Sequence, residues 1–290
     1  MWIGAHVSTA GGLANAIERG EARGCESIQI FNQSPRMWRP TKYGAEDFAA
    51  FREAMDASKL EAVIIHAVYL INCASTDKEL RKKSRESLTN ALRIGDAIGA
   101  AGVVLHPGSQ KEEALAPSIK RAAKTIASAL EDTDSCRLLL EQTAGHKGLL
   151  ARDFDQIADL IEGAGGDKRL GLCLDSCHMF VQGYDITDEA HLAAVLEEVD
   201  AKVGIERLGA VHVNDAAAPL GSCRDRHANI AKGEMGRRGL AAFLSEPRFE
   251  GLPATLETPG PDRKGTDRKE VTLAKRLRRE GLKRRQGDGG

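Results

Sequence analysis

Eight short apolar runs, each followed by a longer stretch of helical periodicity, constrain this chain more than any other feature of its sequence. The runs are WIGAHV (2–7), SIQIF (27–31), AVIIH (62–66), GVVLH (102–106), RLLLE (137–141), GLCLD (171–175), GAVHV (209–213) and PATLE (253–257). Between them lie segments such as EDFAAFREAM, EALAPSIKRAAKTIASAL, FDQIADLIEG and EAHLAAVLEEVDAKV, where apolar residues recur every three or four positions. Strand then helix, eight times over with no hairpin signal, predicts a parallel sheet closed as a (β/α)8 TIM barrel. An open doubly wound sheet is the competing arrangement. Such sheets carry a Gly-rich phosphate turn after the first strand, whereas HVSTAGGLANA offers Gly-Gly and not GxGxxG. The 290 residues suit one barrel domain over 1–281, with a flexible basic tail at 282–290.

Apolar residues at 42% are enough for a full core, and charged residues at 29% for a hydrated surface. The opening MWIGAHVST lacks a basic segment ahead of a long apolar run, so no signal peptide is expected. No apolar stretch approaches the roughly 18–20 residues of a membrane helix, so no membrane partner is expected. Cys25, Cys73, Cys136, Cys173, Cys177 and Cys223 show no CxxC pairing and sit mostly in apolar runs. A reduced, cytoplasmic protein fits this usage. The formal net charge of −1 argues against binding nucleic acid by bulk charge.

Six of the eight strands end in, or nearly in, a residue type that binds metals: His66, His106, Glu141, Asp175, His212 and Glu257. One polar residue at a strand end is commonly a cap or a solvated group. Six in register, all His, Asp or Glu, point together into the mouth where this fold places its active sites. The stretch LCLDSCHMF adds detail. Asp175 ends its strand, and Cys173, two residues earlier on the same face, lies one layer down in the barrel core. Cys177 has no second cysteine at ligand spacing, so Asp175 and His178 are the expected ligands and the cysteines packing. In the long loop GSCRDRHANIAKGEMG (221–236), Asp225 and His227 are two apart in an extended segment and can share an ion. Nine ligands exceed the roughly four that one zinc takes, and a carboxylate can bridge two ions, so three sites are expected. Five histidines with four carboxylates and no thiolate suit zinc, with manganese or iron at one site as the alternative. His6, His146 and His191 remain unassigned, His6 being placed to line the same mouth.

In order along the chain, GAHVSTAGGLANAI, HAVYLIN, LHPGS, EQTAG, LDSCHMFVQGYD, VHVNDA, DRHANI and LETPGPD resemble endonuclease IV, the metal-dependent apurinic/apyrimidinic endonuclease family of base-excision repair. The resemblance implies a trinuclear zinc barrel that cleaves the phosphodiester 5′ to an abasic site in duplex DNA, leaving a 3′-hydroxyl and a 5′-deoxyribose phosphate. It implies that His66, His106 and Glu141 hold one zinc. Glu141 then bridges to a second held by Asp175, His212 and Glu257, while His178, Asp225 and His227 hold the third. Glu141 and Glu257 are the expected catalytic carboxylates, orienting or deprotonating the attacking water. The same resemblance implies 3′-end-cleaning phosphodiesterase activity, a monomer, and association with the nucleoid during work on DNA. Arg36, Met37, Tyr69 and Leu70 are the expected DNA contacts. Arg36, with Tyr69 and Leu70, would form the wedge that fills the gap left by an extruded nucleotide. Val68, Met37 and Glu234 depart from the family's usual residues at their positions.

A metal cluster also answers the charge problem. Three zinc ions would turn the formal −1 into about +5, focused in a concave mouth. Local basic groups remain in NQSPRMWRPTK (32–42), which interleaves Arg36, Arg39 and Lys42 with Trp38, whereas the basic C-terminal helix reads as a solvated face. The competing function is a metal-dependent sugar isomerase or epimerase on the same barrel. It would use Glu141, Asp175, His212 and Glu257 but leave His66, His106, His178, Asp225 and His227 without work. A structural metalloprotein that binds abasic DNA without cutting is the non-enzymatic alternative, and it would need closed coordination shells.

Overall fold

The computed structural model describes residues 1–111, 113–146 and 148–287. Eight parallel strands close into a barrel. They are β1 (Trp2–His6), β2 (Ser27–Phe31), β3 (Ala62–His66), β4 (Gly102–Leu105), β5 (Leu138–Glu141), β6 (Leu170–Asp175), β7 (Leu208–His212) and β10 (Pro253–Leu256), with β10 pairing back to β1. Each predicted strand is present, displaced by one residue at most at either end. The difference lies in the loop after β7. There β8 (Asp215–Ala216) and β9 (His227–Ala228) form a two-residue antiparallel ribbon where no hairpin was expected. This ribbon folds the long loop back over the mouth.

The helices are α1 (Asn15–Ala22), α2 (Ala45–Ala57), α3 (Lys78–Ile98), α4 (Leu115–Glu131), α5 (Phe154–Gly163), α6 (Ser176–Gln182), α7 (Glu189–Lys202), α8 (Gly236–Leu244) and α9 (Arg268–Gly287). Several start on an aspartate that accepts backbone N–H bonds, as Asp77 does from Glu79 and Leu80, Asp153 from Gln156 and Asp188 from His191. The domain boundary expected at residue 282 falls inside α9. The helix continues because Gly281 lets it lie against α8, where an added Cβ would stand 2.2 Å from the Ala241 carbonyl oxygen. Beyond it, Arg285 bonds Ser245 and Glu246. Residues 288–290 lie outside the described residues. The basic face of α9 is also less free than expected. Lys275, Arg278 and Arg284 pair with Glu26, Glu250 and Glu189.

Alternation along the strands explains how the mouth is built. Ile64, Val104, Leu139, Cys173 and Ala210 form a buried cluster of their own inside the barrel. Their neighbours Ile65, Val103, Leu138, Leu174 and Val211 belong to the larger core beneath the helices. Two residues past each member of the inner cluster, on the same face, stand His66, His106, Glu141, Asp175 and His212. The same parity takes Thr255 to Glu257, Ser27 to Gln29 and Gly4 to His6. Gly4 is required, since a Cβ there would lie 1.6 Å from the Ser27 carbonyl oxygen of β2. One apolar layer thus supports a ring of polar side chains at the mouth.

Candidate metal centre

The nine sequence-derived ligands come together in three groups: His66, His106 and Glu141; Asp175, His212 and Glu257; and His178, Asp225 and His227. Within each group, donor atoms lie within 4.8 Å of one another. Glu141 joins the groups. Its Oε2 is 2.8 Å from His106 Nε2 and 3.3 Å from His66 Nε2, while Oε1 is 3.1 Å from His212 Nδ1 and 3.2 Å from His178 Nδ1. Asp225 reaches His178 Nε2 at 3.4 Å and His227 Nε2 at 3.2 Å.

The chain fixes these rings from outside the cluster. His66 Nδ1 donates to the Ala67 carbonyl at 2.7 Å, His178 Nδ1 to that of Gln142 at 2.9 Å, and His227 Nδ1 to that of Glu257 at 3.3 Å. His212 is reversed, donating Nε2–H to Gln29 Oε1 at 2.7 Å. A carbonyl only accepts, so each neutral ring turns a bare nitrogen inward toward carboxylate oxygens. Lone pairs then face lone pairs. Glu141 Oε2 and His227 Nε2 are buried without a hydrogen-bond partner among the described residues. Such a set needs positive charge between its members, and outer N–H groups held by carbonyls are how metal-binding histidines are oriented.

The electrostatics agree. Burial resists protonation of His227, yet Asp225 and Asp175 outweigh it and lift its pKa to about 9. His178 and His212 are likewise raised well above the ordinary range against burial, by Asp175 and Asp225 for the first and by Cys173, Glu257 and Glu141 for the second. Glu257 is held down at about 2, where the imidazoles of His212 and His66 outweigh burial. The cluster draws protons to the nitrogen positions that a divalent cation would occupy. The residues present fit a metal.

Asp175 has a second task that its strand position conceals. Its Oδ1 caps α6 by accepting the His178 N–H at 2.9 Å. Residues Ser176–Gln182, directly after β6, form the helix α6, whose first turn aims His178 inward. Cys173 packs in the barrel interior, as expected. Cys177 lies within reach of Asp175 and His227. Distance alone would admit it as a ligand; its thiol contacts the Arg226 carbonyl, and burial pushes its pKa up. His6 lines the mouth, and burial lowers its pKa to about 4. His146 is exposed, and His191 pairs with Asp185 and Asp188 on the surface.

A groove of about 670 Å³ opens over the cluster, lined among others by His6, Pro35, Tyr69, His227, Glu257 and Lys264. Of the expected DNA contacts, Tyr69 stands in this groove at 63% exposure, its ring edge-on to Phe31. Leu70 is half-buried beside it. Arg36 and Met37 are exposed on the loop after β2. Among the described residues the exposed large hydrophobics are Met37, Tyr69 and Leu220, all on loops that follow barrel strands. Leu220 was not anticipated. Sequence reasoning also missed two polar residues that hold ligands. Asn214 donates to Asp175 Oδ2 at 2.7 Å and accepts the Glu257 N–H at 2.9 Å. Gln29 bonds both His212 and Glu257.

Comparison with known proteins places this chain in a family. Residues 17–280 match the xylose isomerase-like TIM barrel family. The chain is 37% identical to the probable endonuclease 4 of Geotalea daltonii, over 98% of this chain and 99% of that one. The crystal structure of endonuclease IV from Thermus thermophilus superimposes with a TM-score of 0.83 at 34% identity, covering 98% of this chain and all of that one. A D-tagatose 3-epimerase-like protein, at 17% identity and a TM-score of 0.74, shares the fold alone. Identity that runs the full length, on a barrel whose mouth gathers nine side chains of types that bind metals, means that the chain belongs to the endonuclease IV family of xylose isomerase-like TIM barrels.

Proposed function

We propose that the protein is a DNA-repair endonuclease that hydrolyses the phosphodiester 5′ to an abasic site in duplex DNA, leaving a 3′-hydroxyl and a 5′-deoxyribose phosphate. The observation that carries this reading is the third group, His178, Asp225 and His227, set beside the other two. Proton transfer on a sugar has no use for it, whereas a phosphodiester gains from several positive charges around one phosphate. His66, His106 and Glu141 would hold one zinc. Asp175, His212, Glu257 and the shared Glu141 would hold a second, and His178, Asp225 and His227 the third, with manganese or iron as alternatives at one site. When bound, such ions lower the pKa of water and offset the charge of the phosphodiester.

The chain's own groups divide the remaining work. Glu141 is wholly buried and acts from below as the shared carboxylate, whereas Glu257 keeps 20% side-chain exposure and lines the groove. Glu257 is therefore the group placed to orient an attacking water and take its proton. Tyr69 and Leu70 on one side and Arg36 with Met37 on the other offer aromatic, apolar and cationic surface to the gap left when the abasic nucleotide leaves the helix. Blocked 3′ ends present the same phosphodiester chemistry, so 3′-end cleaning belongs to the proposal, as do a monomeric state and work at the nucleoid of the cytoplasm. Among the described residues no helix is long and apolar enough to cross a membrane, and the six cysteines are free.

The test is to incubate the purified protein with a duplex carrying one abasic analogue and resolve the product termini. A single incision on the 5′ side, leaving a 3′-hydroxyl, is expected. An intact duplex together with epimerisation of a ketose would favour the sugar-enzyme reading.

A further inference from the structure

Gln29 is fully buried in β2, two residues before the strand ends, and every polar position of its amide is engaged. Its Oε1 accepts from His212 Nε2 at 2.7 Å. Its Nε2 donates to Glu257 Oε1 at 2.5 Å and lies 3.2 Å from His6 Nδ1, which can accept the second amide hydrogen. The amide has one workable orientation here, because its oxygen cannot face the Glu257 carboxylate. That orientation leaves His212 no choice of tautomer. With Nε2–H bound to Gln29, the bare nitrogen is Nδ1, which faces Glu141 at 3.1 Å, Glu257 at 3.6 Å and Asp175 at 3.8 Å.

We infer that Gln29 is a positioning residue for the Asp175, His212 and Glu257 site: one amide sets the tautomer of the imidazole and the rotamer of the carboxylate, so that both present their free atoms to the same cation. The inference rests on the metal reading given above. A buried glutamine inside a barrel of Ile, Val and Leu would otherwise be a cost without a return, since a buried amide stabilises only when its hydrogen bonds are made. A side chain that ties a ligand histidine to a ligand carboxylate is worth about 10–100-fold in metal affinity when removed. Gln29 does not itself line the groove but bonds, from behind, the His6 and Glu257 side chains that do.

Gln29→Met keeps the length of the side chain and deletes its bonds to His212, Glu257 and His6. Zinc-loaded protein of each type is titrated with a coloured zinc chelator, and released metal is followed. The wild type should retain its zinc, while Gln29→Met should release one equivalent at a chelator concentration at least tenfold lower. On abasic duplex the variant should show a reduced kcat with KM unchanged. Identical release curves and kcat would mean that Gln29 only fills space, and would overturn the inference while leaving the metal reading intact. A wild type that carries no zinc would instead sink the metal reading itself. If Gln29→Met does not fold, long-range ¹H–¹⁵N correlation of the wild-type holoprotein decides. A proton on Nε2 of His212 is expected, and a proton on Nδ1 would overturn the inference.

Discussion

Glu141 and Glu257 are both glutamates at the end of a barrel strand, yet their surroundings separate their work. Glu141 has no exposure and meets four imidazoles, so burial's resistance to its charge is overcome by His106 and His212 and its pKa falls well below the ordinary value. Glu257 touches His212, bonds Gln29, and faces the groove. Exchanging its carboxylate for a carboxamide keeps the size and an oxygen for Gln29 but removes the charge and the basicity. Glu257→Gln should therefore bind abasic duplex with nearly the wild-type affinity and cut it at least 100-fold more slowly, within the range that one positioned general base contributes. Gel-shift and single-turnover measurements on the same preparation separate the two effects. Parallel loss of binding and cleavage would mean that Glu257 chiefly holds the site together.

At the scale of elements, strand ends carry most of the candidate ligands and the loops beyond them carry the proposed DNA contacts. The loop after β3 carries Tyr69 and Leu70, and its exposed tyrosine over a buried histidine ring suits a group that stacks on unpaired bases. Tyr69→Ala should weaken binding to abasic duplex by ~1–3 kcal/mol, the worth of one stacking contact, with zinc content unchanged. Fluorescence anisotropy with the lesion duplex checks this, and unaltered affinity would place the wedge elsewhere. The strands were legible as short apolar runs, six of which end in, or nearly in, one polar residue of a reactive type, as AVIIH and RLLLE do. Gln29 was not, because it lies within its strand and is neither acid nor imidazole. The alternation in SIQIF, with isoleucines outward and polar groups inward, was the available signal. Asn214 and the β8–β9 ribbon depend on how a long loop folds back, which short-range pattern does not encode. The end of α9 escaped for a related reason, since its last turns are held by Ser245 and Glu246, residues distant in sequence.

For the whole molecule, the main question is how a chain of net charge −1 handles a polyanion. Four carboxylates and five imidazoles are concentrated at one end of the barrel, above an apolar layer, and Lys275, Arg278, Arg284 and Arg285 of α9 are paired with glutamates elsewhere. Besides Arg36 on the loop after β2 and Lys264 in the groove wall, cations held among those carboxylates would supply the attraction for a phosphate, so metal content is the decisive quantity. Elemental analysis of gently purified protein should give close to three equivalents of metal, mostly zinc. His178→Ala should give close to two and lose most activity, because it empties the group shared with Asp225 and His227 while leaving Glu141 in place. A single equivalent in the wild type, unchanged by His178→Ala, would contradict the account.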